Sequence, residues 1–497
     1  MATNVAKGFN EKKPAARTGL LCVDLSKAFD VVDHHLLLKK ISGSDLCGNL
    51  KRWLVAYLRD RKIRVLYQGK LSRWKKVKMG VPQGSVLSPL LFNYFINDIK
   101  SSAPIDENYA DDLHGAVQHV KPADIARDLS TVASEFATQA EEHGLSLSAA
   151  KSMVTLFTPW NKEFGRLPPV TLNGVSIPQE NNPKLLGVTL DPTFTFSAHA
   201  SAIARKASQR VNVVRALADS SFGHDKECLT ISWKSIVQPF FNYAAPIVFP
   251  HYSQASHKRL QLIQNRGLRL ITGCHSAASI DHLHQEAKIL PVEKHLQLLS
   301  AQHLAKTLQP HHPSHAVVNT DPGPRAMKHT LKSKVQHLVN PYLVDGVIAP
   351  GSIPTVLKSI HTDVVRETIL SYGANRVLGG PAPEINPTES FLPRRTRAVL
   401  AQLRSGFCSK LNDYNHRIGK TDSDLCPDCT TAQASVQHLF SCPSFPTNLM
   451  PKDLWHRPWD VATHLNRIPA FSDLPVAGPP PPRHARRRRQ PPEPPPP

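Results

Sequence analysis

Two acidic segments, with a glycine-bearing segment between them, limit the architectures open to this chain. Gly19 to Leu25 is a short apolar run that carries Asp24 near its end, which predicts a buried central strand with a carboxylate at its tip. Tyr109-Ala110-Asp111-Asp112 predicts a tight turn between two short strands. Because adjacent carboxylates repel each other, the pair favours a bound divalent cation. Taken alone, an Asp-Asp pair is more often a solvated turn.

The chemistry that fits these carboxylates is phosphoryl transfer. Aspartate oxygens suit Mg²⁺, which keeps part of its water shell and bridges substrate phosphates. Two such ions activate an attacking hydroxyl and stabilise the leaving oxygen of an in-line displacement. The pattern therefore predicts nucleotidyl transfer with two Mg²⁺ ions.

The middle segment, Gly80 to Pro89, favours a ligand site over a solvated turn. Its two glycines let the backbone approach a flat ligand closely, and the amide of Gln83 can hydrogen-bond a base or a sugar. Ser88-Pro89 then predicts a helix with Ser88 as its N-cap. The three segments together carry more information than any one of them.

The remaining patterns predict a mixed α/β region followed, after about Phe196, by helices. Apolar residues recur at helical spacing between Pro122 and Gly144, which predicts an amphipathic helix on the sheet. Asn173-Gly174 predicts a type I′ hairpin. The helix from Lys258 to Gly273 has a basic side, which is either a solvated face or a phosphate contact.

Charge and composition point to a polyanionic partner. The 497 residues include 60 Lys and Arg against 39 Asp and Glu, a formal net charge of +21, so nucleic acid is the first candidate and an anionic membrane surface the second. No run of 18 apolar residues occurs, and Met1 to Lys13 is polar, which predicts a protein that neither spans a membrane nor is secreted. The eight cysteines are sparse and only three of them cluster, which speaks against a disulfide framework and favours an intracellular setting, nucleus and cytoplasm.

The cysteine-histidine cluster near the C-terminus predicts one structural zinc. Cys426, Cys429, His438 and Cys442 follow the spacing Cys-x2-Cys-x8-His-x3-Cys, which supplies four ligands for a tetrahedral ion. We expect a small module that depends on the metal for its stability. Its positive charge is expected to come from five arginines: Arg394, Arg395, Arg397, Arg404 and Arg417. The run Arg486 to Arg489 is either a nuclear-import signal, a nucleic-acid patch or a compositional accident.

These blocks together resemble reverse transcriptases of non-LTR (LINE-type) retrotransposons, the jockey-like elements especially. Gly144-Leu145-Ser146-Leu147 through Lys151, and Leu185 to Asp191, follow the three segments in the order of that family. The resemblance covers about Gly19 to His199 and continues more weakly to the cysteine cluster. It implies an RNA-directed DNA polymerase that uses an RNA template, a DNA primer and deoxynucleotides, as part of a ribonucleoprotein with its own element RNA.

The resemblance also implies roles for individual residues. Asp24, Asp111 and Asp112 match the metal-binding catalytic aspartates. Phe29 matches the aromatic that excludes a ribose 2′-hydroxyl, although plain core packing would be the default without that context. The remaining matches are Gln83 and Gly84 in the nucleotide and template pocket, and Lys151 as proton donor to pyrophosphate. Ser148 stands where the family usually has Asn.

The predicted fold class is α+β, a right-handed polymerase palm with a helical thumb, an irregular connector and a small zinc knuckle. The predicted borders are palm 1–196, thumb 197–309, connector 310–393, zinc module 394–470 and a disordered Pro/Arg-rich tail 471–497. Only 23 residues precede Asp24, so most of the fingers are expected to be missing, as in a truncated copy. Two alternatives stay open: an inactive remnant that only binds nucleic acid, and an unrelated zinc-binding interaction protein.

Overall fold

A computed structural model describes residues 1–219, 223–325 and 327–475 of the chain. Its α-helices are α1 (Ala2–Asn10), α2 (His34–Ser42), α3 (Gly48–Leu58), α4 (Ser88–Ile96), α5 (Pro122–Glu142), α6 (Ser197–Leu217), α7 (Lys226–Ile236), α8 (Gln238–Asn242), α9 (Ala245–Val248), α10 (Gln254–Thr272), α11 (Ile280–Ala287), α12 (Val292–Thr307), α13 (His315–Val318), α14 (Leu331–Val339), α15 (Ile353–Leu370), α16 (Arg394–Ser405), α17 (Asn412–Arg417), α18 (Asp453–His456) and α19 (Pro458–Leu465). Among these described helices, none has the length and apolar character needed to cross a bilayer.

The strands all lie in the first 190 residues of the described chain. They are β1 (Arg17–Asp24), β2 (Lys62–Ile63), β3 (Leu66–Tyr67), β4 (Lys70–Leu71), β5 (Lys75–Lys76), β6 (Ile105–Tyr109), β7 (Asp112–His119), β8 (Met153–Phe157), β9 (Thr171–Leu172), β10 (Val175–Ser176), β11 (Lys184–Leu185) and β12 (Val188–Thr189). The packing divides the chain into two units. The first contains residues 1–199, 250–253 and 307–337, and the second contains 200–249, 254–306 and the described residues from 338 onward.

A four-stranded antiparallel sheet forms the centre of the first unit, with strand order β6-β7-β1-β8. β1 is buried along nearly its whole length because it has a neighbour on each edge, so the prediction of a central strand ending in Asp24 is confirmed. Helix α5 covers one face. A Cβ on Gly19 would lie 2.2 Å from Ile125 and one on Gly115 would lie 2.7 Å from Val132, so these two glycines permit the close packing of helix on sheet.

Three local predictions for the first unit can be compared with the structure. The amphipathic helix α5 and the Asn173-Gly174 hairpin are confirmed; both turn residues have positive φ, and Leu172 pairs with Val175. The prediction that Ser88 is an N-cap was wrong. Helix α4 begins at Ser88 itself, because the preceding residue Leu87 already has helical backbone angles. The Ser88 hydroxyl donates to the Pro82 carbonyl at 2.5 Å.

The described part of the second unit is helical and contains none of the strands β1 to β12. The prediction of an irregular connector at 310–393 was wrong for residues 353–370, which form the 18-residue helix α15. Pro354 lies in its first turn, where proline is tolerated, and buried residues recur at helical spacing through Val356, Ile360 and Val364. The high proline content of the flanking segments masked this periodicity. The five predicted domain borders otherwise stay predictions.

Helices α16, α18 and α19 share an apolar core at the end of the described chain. Leu400, Trp455 and Leu465 are all at most 2% exposed within it. Phe471 and Leu474 are buried in the same core, so the predicted start of the disordered tail at 471 was wrong. The rest of that predicted tail, including Arg486 to Arg489, lies outside the described residues.

Candidate active site

The strand pairing of β1 with β7 brings two of the predicted aspartates together. Asp24 and Asp112 are register partners, directly opposite each other at one end of the ladder. Tyr109 pairs with Asp112 across β6 and β7, so the intervening turn is the two residues Ala110 and Asp111. Ala110 adopts the left-handed conformation, φ +52°, that such a tight turn requires. The third carboxylate is therefore held in the turn that adjoins the other two.

The neighbouring carboxylates affect the electrostatics of Asp112. Desolvation by the surrounding protein raises the pKa of the Asp112 carboxyl, and the charges of Asp111 and Asp24 raise it further, against an opposing effect of His114. Clustered carboxylates that disfavour one another's charge are relieved by a cation. Aspartate oxygens also match the hard ligands that Mg²⁺ prefers, so the donor set fits the predicted metal.

The segment after α5 lies against the end of β1 and positions Lys151. Ser26 N–H donates to Ser146 at 3.0 Å, and Ser148 N–H donates to the Asp24 carbonyl at 3.2 Å, which makes a short antiparallel bridge. The Lys151 ammonium lies 3.8 Å from the Asp24 carboxylate, and its side chain is largely exposed. The bond made by Ser148 uses its backbone, so this interaction does not depend on the side chain at position 148.

Ser152 is a residue of this site that the sequence analysis missed. The Asp24 N–H donates to its hydroxyl at 3.4 Å, and the hydroxyl donates to the Ser148 carbonyl at 2.7 Å. Its position directly after Lys151 was the available signal.

Phe29 lies between a buried ring and an open cavity. Its ring stacks on Phe92 with centroids 4.2 Å apart. It also lines a cavity of about 650 Å³ that reaches Tyr109 and Ala110, the residues next to Asp111. The structure thus places Phe29 both in the packing and beside the carboxylate turn.

The Gly80 to Ser85 segment runs against the residues that follow β1. Gly80 N–H donates to Val32 at 2.8 Å and Val81 N–H to Phe29 at 2.9 Å. A Cβ on Gly80 would lie 2.6 Å from the Asp30 carbonyl, and its φ is +85°, so glycine is required here.

Gln83 and Gly84 differ from Phe29 in that neither lines the cavity beside the carboxylate turn. The Gln83 amide donates to the Asp30 carboxylate at 2.9 Å. The sequence analysis did not single out Asp30, although it directly follows the predicted site residue Phe29. This hydrogen bond to Asp30 therefore holds Gln83 near the residues that follow Asp24.

The four predicted zinc ligands converge in the second unit. The ligand atoms of Cys426, Cys429, His438 and Cys442 all lie within 4.8 Å of one another. The Cys429 thiol contacts the His438 ring nitrogen at 3.2 Å. A hydrogen bond from Thr431 lowers the pKa of Cys429 to about 6, so the thiolate that a metal requires is favoured. Three sulfurs and one imidazole at this spacing fit a tetrahedral zinc.

The five arginines expected to give the zinc module its positive charge all have partners within the second unit. Arg394 donates to two backbone carbonyls and Arg404 is fully buried. The others have carboxylate partners: Arg395 with Asp473, Arg397 with Glu227, and Arg417 with Asp413. Formal charge near a motif did not distinguish a surface cation from a structural one.

The central antiparallel sheet, with three carboxylates at one end of the β1–β7 ladder, agrees with the predicted polymerase palm. Residues 3–190 match the family model of reverse transcriptase (RNA-dependent DNA polymerase). The chain is 27% identical over 334 residues to the probable RNA-directed DNA polymerase from transposon BS of Drosophila melanogaster, covering 63% of this chain and 35% of that protein.

Two more relatives from Drosophila melanogaster are also RNA-directed DNA polymerases of mobile elements. The probable RNA-directed DNA polymerase from transposon X-element is 30% identical over 55% of this chain and 30% of its own length. The RNA-directed DNA polymerase from mobile element jockey is 27% identical over 63% of this chain and 35% of its own length. A solved telomerase from Candida tropicalis aligns at 12% identity over 64% of this chain and 54% of its own, with a TM-score of 0.29, too low to define a shared fold.

Residues 3–190 are therefore a reverse transcriptase domain, and the resemblance to jockey-like non-LTR retrotransposons is confirmed. The chain spans about a third of the length of the curated relatives it matches.

Proposed function

We propose that this chain is an RNA-directed DNA polymerase that extends a DNA primer on an RNA template. The observation that carries the proposal is the meeting of three carboxylates at one end of the β1–β7 ladder, with Asp24 opposite Asp112 and Asp111 in the adjoining turn. This end of the ladder lies within residues 3–190, which match the reverse transcriptase family model.

The proposed roles are those that the family resemblance implies, and the positions of the side chains support them. Asp24, Asp111 and Asp112 hold two Mg²⁺ ions, which supply activation of the primer hydroxyl and stabilisation of the departing pyrophosphate. Lys151, beside Asp24, donates a proton to that pyrophosphate. The ring of Phe29, which lines the cavity near the turn, excludes a 2′-hydroxyl. Gln83, oriented by Asp30, contacts the nucleotide or the template together with Gly84.

The partners in this proposal are deoxynucleotides, an RNA template and a DNA primer, with the element's own RNA in a ribonucleoprotein. One structural zinc at Cys426, Cys429, His438 and Cys442 shapes the C-terminal module. The proposed location is intracellular, in nucleus and cytoplasm, which is supported by eight free thiols.

Primer extension on a poly-rA template with an oligo-dT primer and Mg²⁺ tests the proposal. Asp111→Asn removes one ligand charge and is expected to lower extension by at least about 100-fold, because the two-metal arrangement contributes several kcal/mol to the transition state. Asp124→Asn, at the start of α5, removes a surface carboxylate as a matched control and should leave extension unchanged.

Two results would count against the proposal. Undiminished extension by Asp111→Asn would overturn the two-metal assignment. A folded parent chain that binds template and primer but extends nothing would identify the catalytically inactive, nucleic-acid-binding alternative.

A further inference from the structure

The hairpin formed by residues 59–78, here called the basic hairpin, concentrates positive charge that the proposed chemistry does not use. It contains a single acidic residue, Asp60. Its nine cations are Arg59, Arg61, Lys62, Arg64, Lys70, Arg73, Lys75, Lys76 and Lys78. Within the part of the chain that the structure describes, one ion pair is found in this hairpin, between Lys76 and Asp60 at 2.9 Å. Most of the charge is therefore available to an external anion.

The strand pairing of the basic hairpin sets like charges against each other. β2 pairs with β5 so that Lys62 lies directly opposite Lys76, an arrangement that destabilises a ladder. β3 pairs with β4 to form the tip, and every residue from 62 to 76 is exposed. A two-stranded ribbon with no covering layer is marginal by itself. A bound polyanion would offset both the repulsion and the lack of burial.

Large aromatic side chains are exposed on the same ribbon. Tyr67 is 71% exposed and Trp74 is 59% exposed. The Arg64 guanidinium lies over the Trp74 ring at 4.4 Å, so the ring is held in place by a cation. Exposed rings interleaved with cations are the pattern on which unpaired bases stack while phosphates meet the positive charges.

The distribution of apolar and charged residues favours nucleic acid over a membrane. Residues directly opposite each other share a face of a ladder. Ile63 lies opposite Lys75 and Tyr67 lies opposite Lys70, so each of these faces mixes an apolar group with a cation. Insertion into a membrane interface requires an apolar face separated from the charged one.

We propose that the basic hairpin binds an unpaired strand of nucleic acid, with its lysines on the phosphates and Tyr67 and Trp74 stacked on bases. The inference goes beyond the proposed polymerase chemistry, because it requires neither the three carboxylates nor a metal ion. It holds equally for a chain that extends no primer.

Binding of the full chain to fluorescein-labelled 20-mers, without added Mg²⁺, tests the charges. The triple variant Lys62→Ser/Lys70→Ser/Lys75→Ser should bind oligo-rU and oligo-dT more weakly. It should also lower the slope of log affinity against log salt by roughly 0.7 for each phosphate that no longer has a cation beside it. The control Lys12→Ser/Lys39→Ser/Lys162→Ser removes three other exposed cations of the first unit. Equal reductions in affinity for both triple variants would overturn the proposal, since they would reflect net charge alone.

A second set of variants tests the exposed aromatic residues in the same binding assay. Tyr67→Ser and Trp74→Ser should each weaken binding by roughly 5- to 100-fold, the range for loss of one stacked base, whereas Trp74→Phe should restore most of it. Blunt duplex DNA should be insensitive to these two changes because its bases are already stacked.

With these variants, three results would overturn the proposal. The first is that Tyr67→Ser and Trp74→Ser weaken binding to duplex DNA as much as binding to single strands. The second is that neither variant weakens binding to single strands. The third is hairpin-dependent binding to phosphatidylserine vesicles with no effect on oligonucleotides, which would identify a membrane surface. Comparing oligo-rU with oligo-dT distinguishes an RNA strand from a DNA strand as the occupant, and circular dichroism of each variant verifies folding.

Discussion

At the scale of single residues, Phe29 makes two kinds of contact whose consequences can be separated experimentally. The stack on Phe92 makes it a packing residue, and the cavity beside the carboxylate turn makes it a candidate for reading the sugar of the incoming nucleotide. A packing role alone predicts a change of stability. A reading role predicts a change of substrate choice.

We expect Phe29→Val to lower the ratio of dNTP to rNTP incorporation, because a shorter side chain no longer meets the 2′-hydroxyl. The matched control is Phe92→Leu, which removes the same stack from the buried side and leaves the Phe29 ring in place. The measurement is single-nucleotide incorporation with each substrate. If both variants lose stability and neither changes the ratio, Phe29 is a packing residue only.

A second residue-scale prediction concerns acid stability. The His251 imidazole packs against the rings of Phe194 and Phe196 within the first unit, and burial lowers its pKa to about 3. An unfolded histidine titrates near 6.5, so below that pH the unfolded chain binds a proton that the folded chain does not. The stability present above pH 6.5 is therefore lost as the pH falls from 6.5 toward 3.

We expect the first unit to lose about 1 to 2 kcal/mol between pH 7.5 and pH 5 through His251, and His251→Phe to remove most of that loss. Hydrogen exchange of the β1 amides at both pH values measures it. The control His35→Phe changes an exposed histidine of α2. An unchanged pH dependence in His251→Phe would refute the assignment.

At the scale of elements, the zinc ligands and the C-terminal helices contribute separately to the order of this region. The expectation that the module depends on the metal for its stability stays a prediction, and α16, α18 and α19 share a core that includes Trp455 and Phe471. Within residues 426–442, Val436, Leu439 and Phe440 are buried in that same core, whereas Cys426, Ala434 and Cys442 form a small separate cluster.

We expect chelation to disorder the loop around residues 426–434 while the helical core persists, because the buried cluster of this loop is small and the metal contributes on the order of 10 kcal/mol to its folding. Hydrogen exchange of the full chain, with and without a zinc chelator, separates the two. Elemental analysis should find one zinc per chain, lowered in Cys429→Ser and unchanged in Cys228→Ser, which alters an exposed free thiol. Less than half an equivalent of zinc in the parent chain would contradict the assignment.

At the scale of the whole molecule, a buried ionic network joins distant parts of the second unit. Arg404 of α16 is fully buried and donates to Glu286 of α11 at 2.7 Å and to Glu389 at 2.6 Å. Lys226 of α7 also pairs with Glu286 at 2.9 Å. Arg404 and Lys226 hold the pKa of the Glu286 carboxyl well below its usual range, against the opposing effect of burial. The network stabilises the unit only while it is complete.

We expect Arg404→Met to destabilise the second unit by about 3 kcal/mol or more, because two buried carboxylates lose their main partner. Arg395→Met removes a half-exposed ion pair on the same helix and should cost about 1 kcal/mol or less. Urea unfolding followed by hydrogen exchange of the α16 amides measures both. Equal costs for the two variants would mean that the network adds nothing beyond a surface pair.

Much of the first unit could be predicted from the sequence, because its signals are local. The apolar run that ends in Asp24, the two-residue turn before Asp112 and the Asn173-Gly174 hairpin depend on strand periodicity and turn chemistry. Helix α15 was missed because prolines around it obscured an equally local pattern. Asp30 and Ser152 were missed because their hydrogen bonds are made with residues far away in the sequence.

By itself, the sequence determined the order of the carboxylates, the spacing of the zinc ligands and the total charge, since chain neighbours decide each of these. Only the tertiary structure decided which charges are free. Arg404 and Glu286 are 118 residues apart and neutralise each other in a buried core, whereas the lysines of the basic hairpin remain in solvent on an exposed ribbon. The physical reason is that burial and pairing are properties of packing, and packing brings together residues whose positions in the sequence carry no sign of their proximity.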